Sequence, residues 1–304
     1  MEQADTPALA ETLFARLQAA YPETWQSLTE IQRKFQAHGF EIFLVGGAVR
    51  NLVLDLPLKD FDLATNALPE NILKMFHTVI PTGIQHGTVT LVYRKQHFEI
   101  TTFRVDGAYT DARRPDSVCF TPDIHEDLKR RDFTINAMAL DLGKRCLLDP
   151  HRGRSDLVRR LIRTVGPASD RFNEDGLRIM RGLRFAAQLG FPLEKSTWEA
   201  MGLRLDRLAQ VSIERFRDEV TKTLESRLPS RGLYLMRERG ALGLFIPELA
   251  SLSPAGFAQT CLMVDLAGTG NPGLRVAALT SQLSIPTARD LLIRLRLSTV
   301  QVKQ

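Results

Sequence analysis

The sequence predicts an α+β head followed by an all-α second half, in a chain of 304 residues. Short β-prone runs separated by helical pieces extend to about residue 145. From Leu157 onward nearly every segment has apolar residues at helical spacing, and glycine or proline separates these segments. The change of pattern between the two halves predicts at least two structural parts.

The elements follow in order. Apolar residues recur at helical spacing from Leu9 to Phe35, and Gly39 ends this helical lead-in. The β-prone runs come next, at residues 42–45, 61–64, 88–93 and 98–103. We therefore divide the chain into a helical lead-in (1–38), a head (39–150), a helical neck (151–230) and a helical body (231–304).

Composition excludes several classes of protein. The chain has 40 basic and 35 acidic side chains, a net charge of +5, and its arginines cluster, which favours a polyanionic partner. Cys119, Cys146 and Cys261 are scattered and odd in number, so no disulfide framework or zinc site is expected. The N-terminus lacks a signal peptide pattern, and no 18-residue apolar run occurs. We expect a cytoplasmic protein without membrane association or an obligate protein partner.

A pair of aspartates is the first candidate site. Asp60 and Asp62 stand at i and i+2 in a β-prone run, which is expected to place both carboxylates on one face of a strand. Adjacent hard oxygen ligands suit Mg²⁺ and the phosphates that it bridges. An isolated pair of this kind is more often a solvated strand face.

A glycine turn upstream strengthens the metal interpretation. Gly46 and Gly47 lie between a predicted strand and a predicted helix, and Arg50 follows in the first helical turn. Glycine lets the backbone approach a phosphate, a helix N-terminus offers free N–H groups, and arginine binds phosphate oxygens in a fork. Together with the aspartates, this arrangement favours phosphate binding over a simple connection.

Residues 44–65, LVGGAVRNLVLDLPLKDFDLAT, resemble the signature of the class II (bacterial and eukaryotic type) family of CCA-adding tRNA nucleotidyltransferases and poly(A) polymerases. The resemblance implies a polymerase β-like nucleotidyltransferase head, with a mixed sheet and flanking helices, and Mg²⁺ bound by Asp60 and Asp62. Asn51 departs from the family, which usually has aspartate there. The change puts a secondary contact near the phosphates or metal in doubt.

A second segment, from Glu99 to Asp116, is similar to the family's strand and flexible loop. Glu99 is expected to face the aspartate pair as a third carboxylate, or to act as a hinge for the loop. Gly107, Arg113, Arg114 and Pro115 have the composition of a mobile surface lid, and an ordinary polar hairpin is the alternative.

Residues 130–139, RRDFTINAMA, give the most specific match to the family. The resemblance makes Arg131 a candidate for contacts with the nucleotide's phosphates. Asp132 is a candidate for the ribose hydroxyls, because a carboxylate accepts a hydrogen bond from a 2′-OH. Asn136, in the same motif, is included in the nucleotide site.

Residues 174–187, EDGLRIMRGLRFAA, contain the third motif. On a helix, Asp175, Arg178, Arg181 and Arg184 would form one stripe, with excess positive charge that favours an anionic ligand over a salt-bridged surface. The resemblance assigns base selection to Asp175 and Arg178. Cytosine and adenine both pair an exocyclic amine donor with a ring-nitrogen acceptor, whereas uracil and guanine reverse the pattern. Arg181 and Arg184 would support the pair or hold triphosphate.

A fainter match is Ser212-Ile213-Glu214-Arg215, the opening of a helix in which Arg215 and Arg217 are expected to support the body or touch RNA. The resemblance implies template-independent addition of C and A, from CTP and ATP, to the 3′ end of tRNA. Three alternatives stay open: an A-adding enzyme, a poly(A) polymerase, and a catalytically silent RNA-binding paralogue. The body is expected to lack the family's full tail.

Overall fold

The computed structural model describes residues 6–106, 118–268 and 272–297. These residues form two compact units. The first contains residues 6–106 and 118–159, and the second contains residues 160–268 and 272–297. The finer division into lead-in, head, neck and body stays a prediction.

The first unit combines helices with a sheet. Its helices are α1 (Thr6–Ala20), α2 (Pro22–Ala37), α3 (Gly47–Val53), α4 (Pro69–Met75), α5 (Ile124–Lys129) and α6 (Gly153–Val158). Its strands are β1 (Ile42–Val45), β2 (Leu63–Thr65), β3 (Val79–Gly83), β4 (Thr88–Tyr93), β5 (Gln96–Thr102), β6 (Arg104–Asp106), β7 (Val118–Phe120), β8 (Ala139–Asp141) and β9 (Cys146–Leu148).

Seven strands form one mixed sheet in the order β3-β4-β5-β2-β1-β8-β9. The pairing of β2 with β5 is parallel, and the other pairings in this sheet are antiparallel. Strand β5 alternates in burial, with Phe98, Ile100 and Thr102 in the interior and Glu99 on the exposed face. The period of two fixes which side chains reach the surface where the aspartates lie.

The N-terminal lead-in is helical, as its periodicity predicts. It consists of two helices that break at Tyr21 and Pro22. Proline has no amide hydrogen to continue a helix but fits the first helical position, so α2 begins there. The apolar stripe continues across the break because Leu17, Leu28 and Phe35 are all fully buried.

The second unit is helical, as the sequence predicts. Its helices are α7 (Ala168–Glu174), α8 (Leu177–Leu189), α9 (Lys195–Leu203), α10 (Leu205–Leu208), α11 (Ile213–Leu224), α12 (Pro229–Glu238), α13 (Ala241–Phe245), α14 (Pro247–Ala250), α15 (Pro254–Leu266), α16 (Pro272–Thr280) and α17 (Ile285–Arg294). One isolated parallel bridge joins Ile162 to Leu193. None of the helices in the described residues is long and apolar enough to cross a lipid bilayer.

Candidate functional site

The turn between β1 and α3 has the backbone geometry that only glycine adopts readily. Gly46 has φ +67° and ψ −131° and directly precedes the first helical residue, Gly47. A side chain at Gly46 would begin 3.2 Å from Nη1 of Arg131, and one at Gly47 would begin 3.6 Å from Nη2 of Arg50. Two guanidinium groups therefore lie over a turn that carries no side chain of its own.

Asp60 and Asp62 lie just before β2, which corrects the prediction that both stand on a strand. The strand begins at Leu63, although the main-chain carbonyl of Asp62 still accepts a 3.0 Å hydrogen bond from the amide of Val45. Pro57 lacks an amide hydrogen, so the segment leading to the aspartates is poorly suited to a strand ladder. Both aspartates are exposed at the edge of the sheet.

The register of the sheet brings Glu99 beside Asp62. In the parallel pair of β2 and β5, Leu63 is opposite Ile100. Asp62 directly precedes Leu63 and Glu99 directly precedes Ile100, so the same register places Asp62 near Glu99, whose charge acts on Asp62. The expected position of Glu99 near the aspartates therefore follows from strand pairing between segments far apart in sequence.

The electrostatics of Asp62 reflect this crowding of carboxylates. Partial desolvation by the surrounding protein, followed by the negative charges of Glu99 and Asp60, raises the pKa of Asp62 to about 6, and Arg131 opposes the shift. Asp62 as a residue is nevertheless exposed. Grouped negative charge at an accessible edge is the arrangement that a cation relieves.

The donor set fits a hard cation with an incomplete protein shell. No group of three aspartate, glutamate, histidine or cysteine side chains in the described part of the chain is arranged to hold a metal ion by itself. Two carboxylates, Asp60 and Asp62, are nevertheless available at one edge. Mg²⁺ is commonly bound through one or two carboxylates, with phosphates and waters completing its octahedron. The residues therefore suit an ion that arrives with a phosphorylated substrate.

Asp127 fixes the position of Arg131. Its buried carboxylate accepts bonds from Nη2 of Arg130 at 2.7 Å and from Nη2 of Arg131 at 3.1 Å. Burial alone would raise the pKa of Asp127, but the two guanidinium charges outweigh it and hold that pKa below its usual value. Sequence reasoning gave Asp127 no role, because its burial depends on the packing of α5.

We expect Asp127→Asn to lower the free energy of unfolding by about 3 kcal/mol at pH 7, since it leaves two arginines without their buried carboxylate. The folded pKa of Asp127 is depressed, so its contribution is complete above pH 4 and lost as the pH falls through the folded pKa. Urea unfolding at pH 7 and pH 3 measures this difference.

The matched control for that experiment is Glu126→Gln, which removes an exposed carboxylate 3.5 Å from Lys129. An exposed pair contributes at most about 1 kcal/mol, and the control should be nearly neutral. Equal losses in Asp127→Asn and Glu126→Gln would contradict the role of Asp127.

A chain of hydrogen bonds joins the glycine turn to the second motif. Arg50 donates from Nη1 to Oδ1 of Asn136 at 2.7 Å, and Asn136 donates from Nδ2 to Oδ1 of Asp132 at 3.3 Å. Arg50 also donates from Nε and Nη2 to Oδ1 of Asn51, at 3.1 and 2.9 Å. Asn51 in turn donates from Nδ2 to the carbonyl of Pro57 at 2.9 Å. The side-chain amide of Asn51 can accept the bonds from Arg50 and also donate to Pro57, whereas an ionised aspartate can only accept.

The third motif differs from the predicted helical stripe. Asp175 has an extended backbone and precedes α8, where its Oδ1 accepts a 3.0 Å bond from the amide of Leu177. Aspartate commonly satisfies the first free amides of a helix in this way. Arg178 lies on α8 and forms an ion pair with Glu174, which also pairs with Arg171. Asp175 and Arg178 are therefore held by separate partners.

Arg215 is the partner of Asp175, a contact that sequence reasoning missed. Its Nη1 and Nη2 donate to the two carboxylate oxygens of Asp175 at 3.2 and 2.7 Å. Both side chains are largely buried. The sequence signal was the match around Ser212, but it predicted for Arg215 only support of the body or a contact with RNA.

Arg181 and Arg184, the remaining members of the predicted stripe, have different surroundings. Arg184 is buried, with its Nε 2.5 Å from Oε2 of Glu219 and its Nη1 2.7 Å from Oε1 of Gln188. These contacts favour support of the helices over nucleotide binding, because the charge of Arg184 is already paired. Arg181 is partly exposed and lies 5.5 Å from the ring of Phe185. The predicted loop residues Gly107, Arg113, Arg114 and Pro115 lie outside the described residues.

Two protein families match separate parts of the chain. Residues 42–163 match the "Poly A polymerase head domain", and residues 190–252 match the "Probable RNA and SrmB-binding site of polymerase A". The first range contains the glycine turn, the aspartates and Arg131. The second begins just after α8 and contains Arg215.

Two relatives whose names are known also match this chain. The CCA-adding enzyme of Geobacillus stearothermophilus is 45% identical over 226 residues, which are 74% of this chain and 55% of the relative. That of Lactobacillus delbrueckii subsp. bulgaricus is 47% identical over 200 residues, or 66% of this chain and 50% of the relative. This chain thus spans about half the length of the curated relatives it matches.

Solved structures extend the likeness to three dimensions. The crystal structure of the Bacillus stearothermophilus CCA-adding enzyme in complex with CTP matches with a TM-score of 0.81 and 36% identity, over 92% of this chain and 67% of that one. The Thermotoga maritima CCA-adding enzyme complexed with tRNA matches with a TM-score of 0.73 over 93% of this chain and 68% of that one. At 20% identity, the second likeness concerns the fold alone.

The first unit, with its mixed sheet, glycine turn and exposed aspartates, is a polymerase β-like nucleotidyltransferase head, and helices follow it. The chain belongs to the class II family of CCA-adding enzymes and poly(A) polymerases. The resemblance seen in the sequence is thereby confirmed.

Proposed function

We propose that this chain adds C and A nucleotides, from CTP and ATP, to the 3′ end of tRNA without a nucleic-acid template and releases pyrophosphate. The observation that carries the proposal is the crowding of Asp60, Asp62 and Glu99 at one edge of the sheet. The names and 45–47% identities of the relatives support the tRNA substrate. Because that substrate would be tRNA, we also propose a cytoplasmic location.

In this proposal Asp60 and Asp62 hold Mg²⁺. When bound, the ion would orient the triphosphate and increase the acidity of the RNA 3′-hydroxyl for attack on the α-phosphorus. Glu99 adds negative charge beside Asp62 and so favours occupation of the site by a cation. Removal of divalent metal by a chelator should stop nucleotide addition, and Mg²⁺ should restore it.

The cationic groups around the glycine turn hold the phosphates. Arg50 and Arg131 lie against Gly47 and Gly46, so their guanidinium groups are placed to bind phosphate oxygens at the turn. Asn136 positions Arg50 through its 2.7 Å bond and also contacts Asp132. Asp132 would accept a hydrogen bond from the ribose and so distinguish ribonucleotides.

Asp175 and Arg178 select the base in this proposal. Oδ1 of Asp175 is occupied by Arg215 and by the amide of Leu177, whereas Oδ2 has one bond from Arg215 in the described structure. A carboxylate oxygen accepts two bonds, so Oδ2 can take one more from an exocyclic amine. Cytosine and adenine both carry that amine, beside a ring nitrogen that an arginine donor such as Arg178 can contact.

The backbone conformation at position 46 is predicted to require glycine. Gly46→Ala should cost about 2 kcal/mol of folding free energy, because an L-residue is strained at φ +67° and ψ −131°. Its Cβ would also press on Arg131. We expect the KM for CTP and ATP to rise roughly tenfold, which is the loss of one charge-assisted contact. Thermal unfolding and steady-state kinetics measure the two effects.

A glycine without these constraints provides the control. Gly243 lies in α13, and a side chain there would meet no atom within 4 Å. Gly243→Ala should therefore leave both the unfolding midpoint and the KM unchanged or slightly improved. A Gly46→Ala protein with the KM of the control would contradict phosphate binding at this turn.

A primer-extension assay tests the proposed function itself. The substrates are tRNA transcripts that end before CCA, after C and after CC, together with an unstructured oligo(A), each offered the four nucleotides singly and mixed. Completion of CCA on all three tRNAs supports the proposal. Addition of A alone to the CC-ended tRNA would identify an A-adding enzyme, and long tails on oligo(A) would identify a poly(A) polymerase. Absence of any product would favour a silent paralogue.

A further inference from the structure

Two arginines meet at the C-terminal end of α8, the opposite end of this helix from Asp175 and Arg178. A side chain on Gly190, the residue that ends this helix, would begin 3.3 Å from Nη1 of Arg231 and 3.9 Å from Nη2 of Arg160. Both arginines are exposed. Two like charges converge on one point that glycine leaves open.

The backbone around Gly190 holds Arg160 in place. Ile162 forms a parallel bridge with Leu193, with hydrogen bonds from Ile162 to the carbonyl of Pro192 at 3.0 Å and from Glu194 to the carbonyl of Ile162 at 2.9 Å. The guanidinium carbon of Arg160 also lies 5.3 Å from the ring of Phe191. This distance is within the range of a cation–π contact.

Close helix packing holds Arg231 in place. At Gly232, the next residue, a side chain would begin 2.4 Å from Cγ2 of Thr223 and 3.1 Å from Cβ of Ala187. No side chain fits there, so the start of α12 can pack directly against α8 and α11. This packing positions Arg231 beside Gly190, and the pair is pre-arranged by the fold.

The two guanidinium groups make no ion pair with any described residue. Among the described residues, neither the Arg160 nor the Arg231 side chain has a hydrogen bond or an ion pair. Cations near a helix C-terminus complement the helix dipole, which accounts for their sign. The helix dipole does not account for two guanidinium groups that lie side by side and make no bonds to the terminal carbonyls of the helix.

We propose that Arg160 and Arg231 form a clamp for a backbone phosphate of the RNA substrate. Arginine is suited to this task because its fork binds phosphate oxygens and stays charged. Arg231 falls within residues 190–252, the range that matches a probable RNA-binding family description. The proposal rests on the RNA substrate proposed above but concerns contacts with the RNA backbone, separate from the chemistry at its 3′ end.

The test measures equilibrium binding of a fluorescent tRNA acceptor hairpin, without nucleotide, over a series of NaCl concentrations. The double variant Arg160→Ala/Arg231→Ala should reduce the magnitude of the slope of log affinity against log salt by about 0.7 to 0.9, because the clamp neutralises one phosphate, and each single variant should reduce it by less. Lysine at both positions should preserve the slope, because it keeps the charge. Arg289→Ala is the control, since Arg289 is exposed on α17 and has no side-chain partner among the described residues.

The outcomes separate the clamp from the other proposals. A double variant with the salt slope of Arg289→Ala would overturn the clamp, even if the protein adds CCA normally. A reduced slope in a chain that adds no nucleotide would support the clamp while rejecting the proposed function. Thermal stabilisation of the wild type by inorganic phosphate at constant ionic strength, lost in the double variant without a change of RNA slope, would identify a free-anion site and also overturn the assignment to RNA.

Discussion

Asp62→Ala is expected to lower the rate of nucleotide addition by about 1000-fold or more. Loss of a carboxylate that binds the catalytic ion removes several kcal/mol of transition-state stabilisation, and each 1.4 kcal/mol is about tenfold in rate. Asp60→Ala should have an effect of the same order. Single-turnover addition of CMP to a tRNA lacking CCA, at saturating Mg²⁺ and CTP, measures this loss directly.

The control for this prediction is Asp55→Ala. Asp55 is an exposed aspartate in the same connection between α3 and β2, and its carboxylate lies 3.6 Å from Nε of Arg16. Its removal changes the net charge equally but leaves the sheet edge intact, so addition should proceed at the wild-type rate. Activity retained in both Asp60→Ala and Asp62→Ala would reject the metal assignment.

The parts of this fold that depend on local pattern could be predicted from the sequence. Strand β4 was predicted at its observed bounds, because alternation and β-branched residues encode it locally. The glycine turn could also be predicted, since adjacent glycines between a strand and a helix are a local signal. The start of β2 was predicted two residues too early, because the ladder and the preceding Pro57 decide where a strand begins.

The parts that depend on packing could not be predicted in detail. The position of Glu99 beside Asp62 required the register of a parallel pair. Asp175 was placed on a helix, although it precedes α8 and its carboxylate accepts a bond from the amide of Leu177, the first residue of that helix. Arg215 lies 40 residues from Asp175 in the chain, and no periodicity connects them. A motif shows which residues matter, whereas only tertiary structure shows which of them touch.

Replacing Asp175 and Arg178 together with alanine is expected to relax discrimination among the four nucleotides. Each paired contact with a base edge is worth about 1–3 kcal/mol of discrimination, so the preference for CTP and ATP over UTP and GTP should fall by roughly 100-fold. Competition assays with all four nucleotides on a tRNA lacking CCA give this ratio. Unchanged selectivity would show that these residues do not read the base.

Arg215→Ala should produce a milder form of the same defect, because its fork sets the orientation of the Asp175 carboxylate. Without it, Asp175 can rotate and no longer presents a fixed acceptor, and we expect about a tenfold loss of selectivity, equivalent to roughly 1.4 kcal/mol. Arg217→Ala is the control on the same helix, since Arg217 bonds to Asp218 and to the carbonyl of Arg296. If both variants keep the wild-type ratio while the Asp175 and Arg178 double variant loses it, Asp175 reads the base without help from Arg215. A loss of selectivity in Arg215→Ala but not in Arg217→Ala would make the ion pair part of the selection. Both variants remove one arginine from α11, but only Arg215 bonds to Asp175.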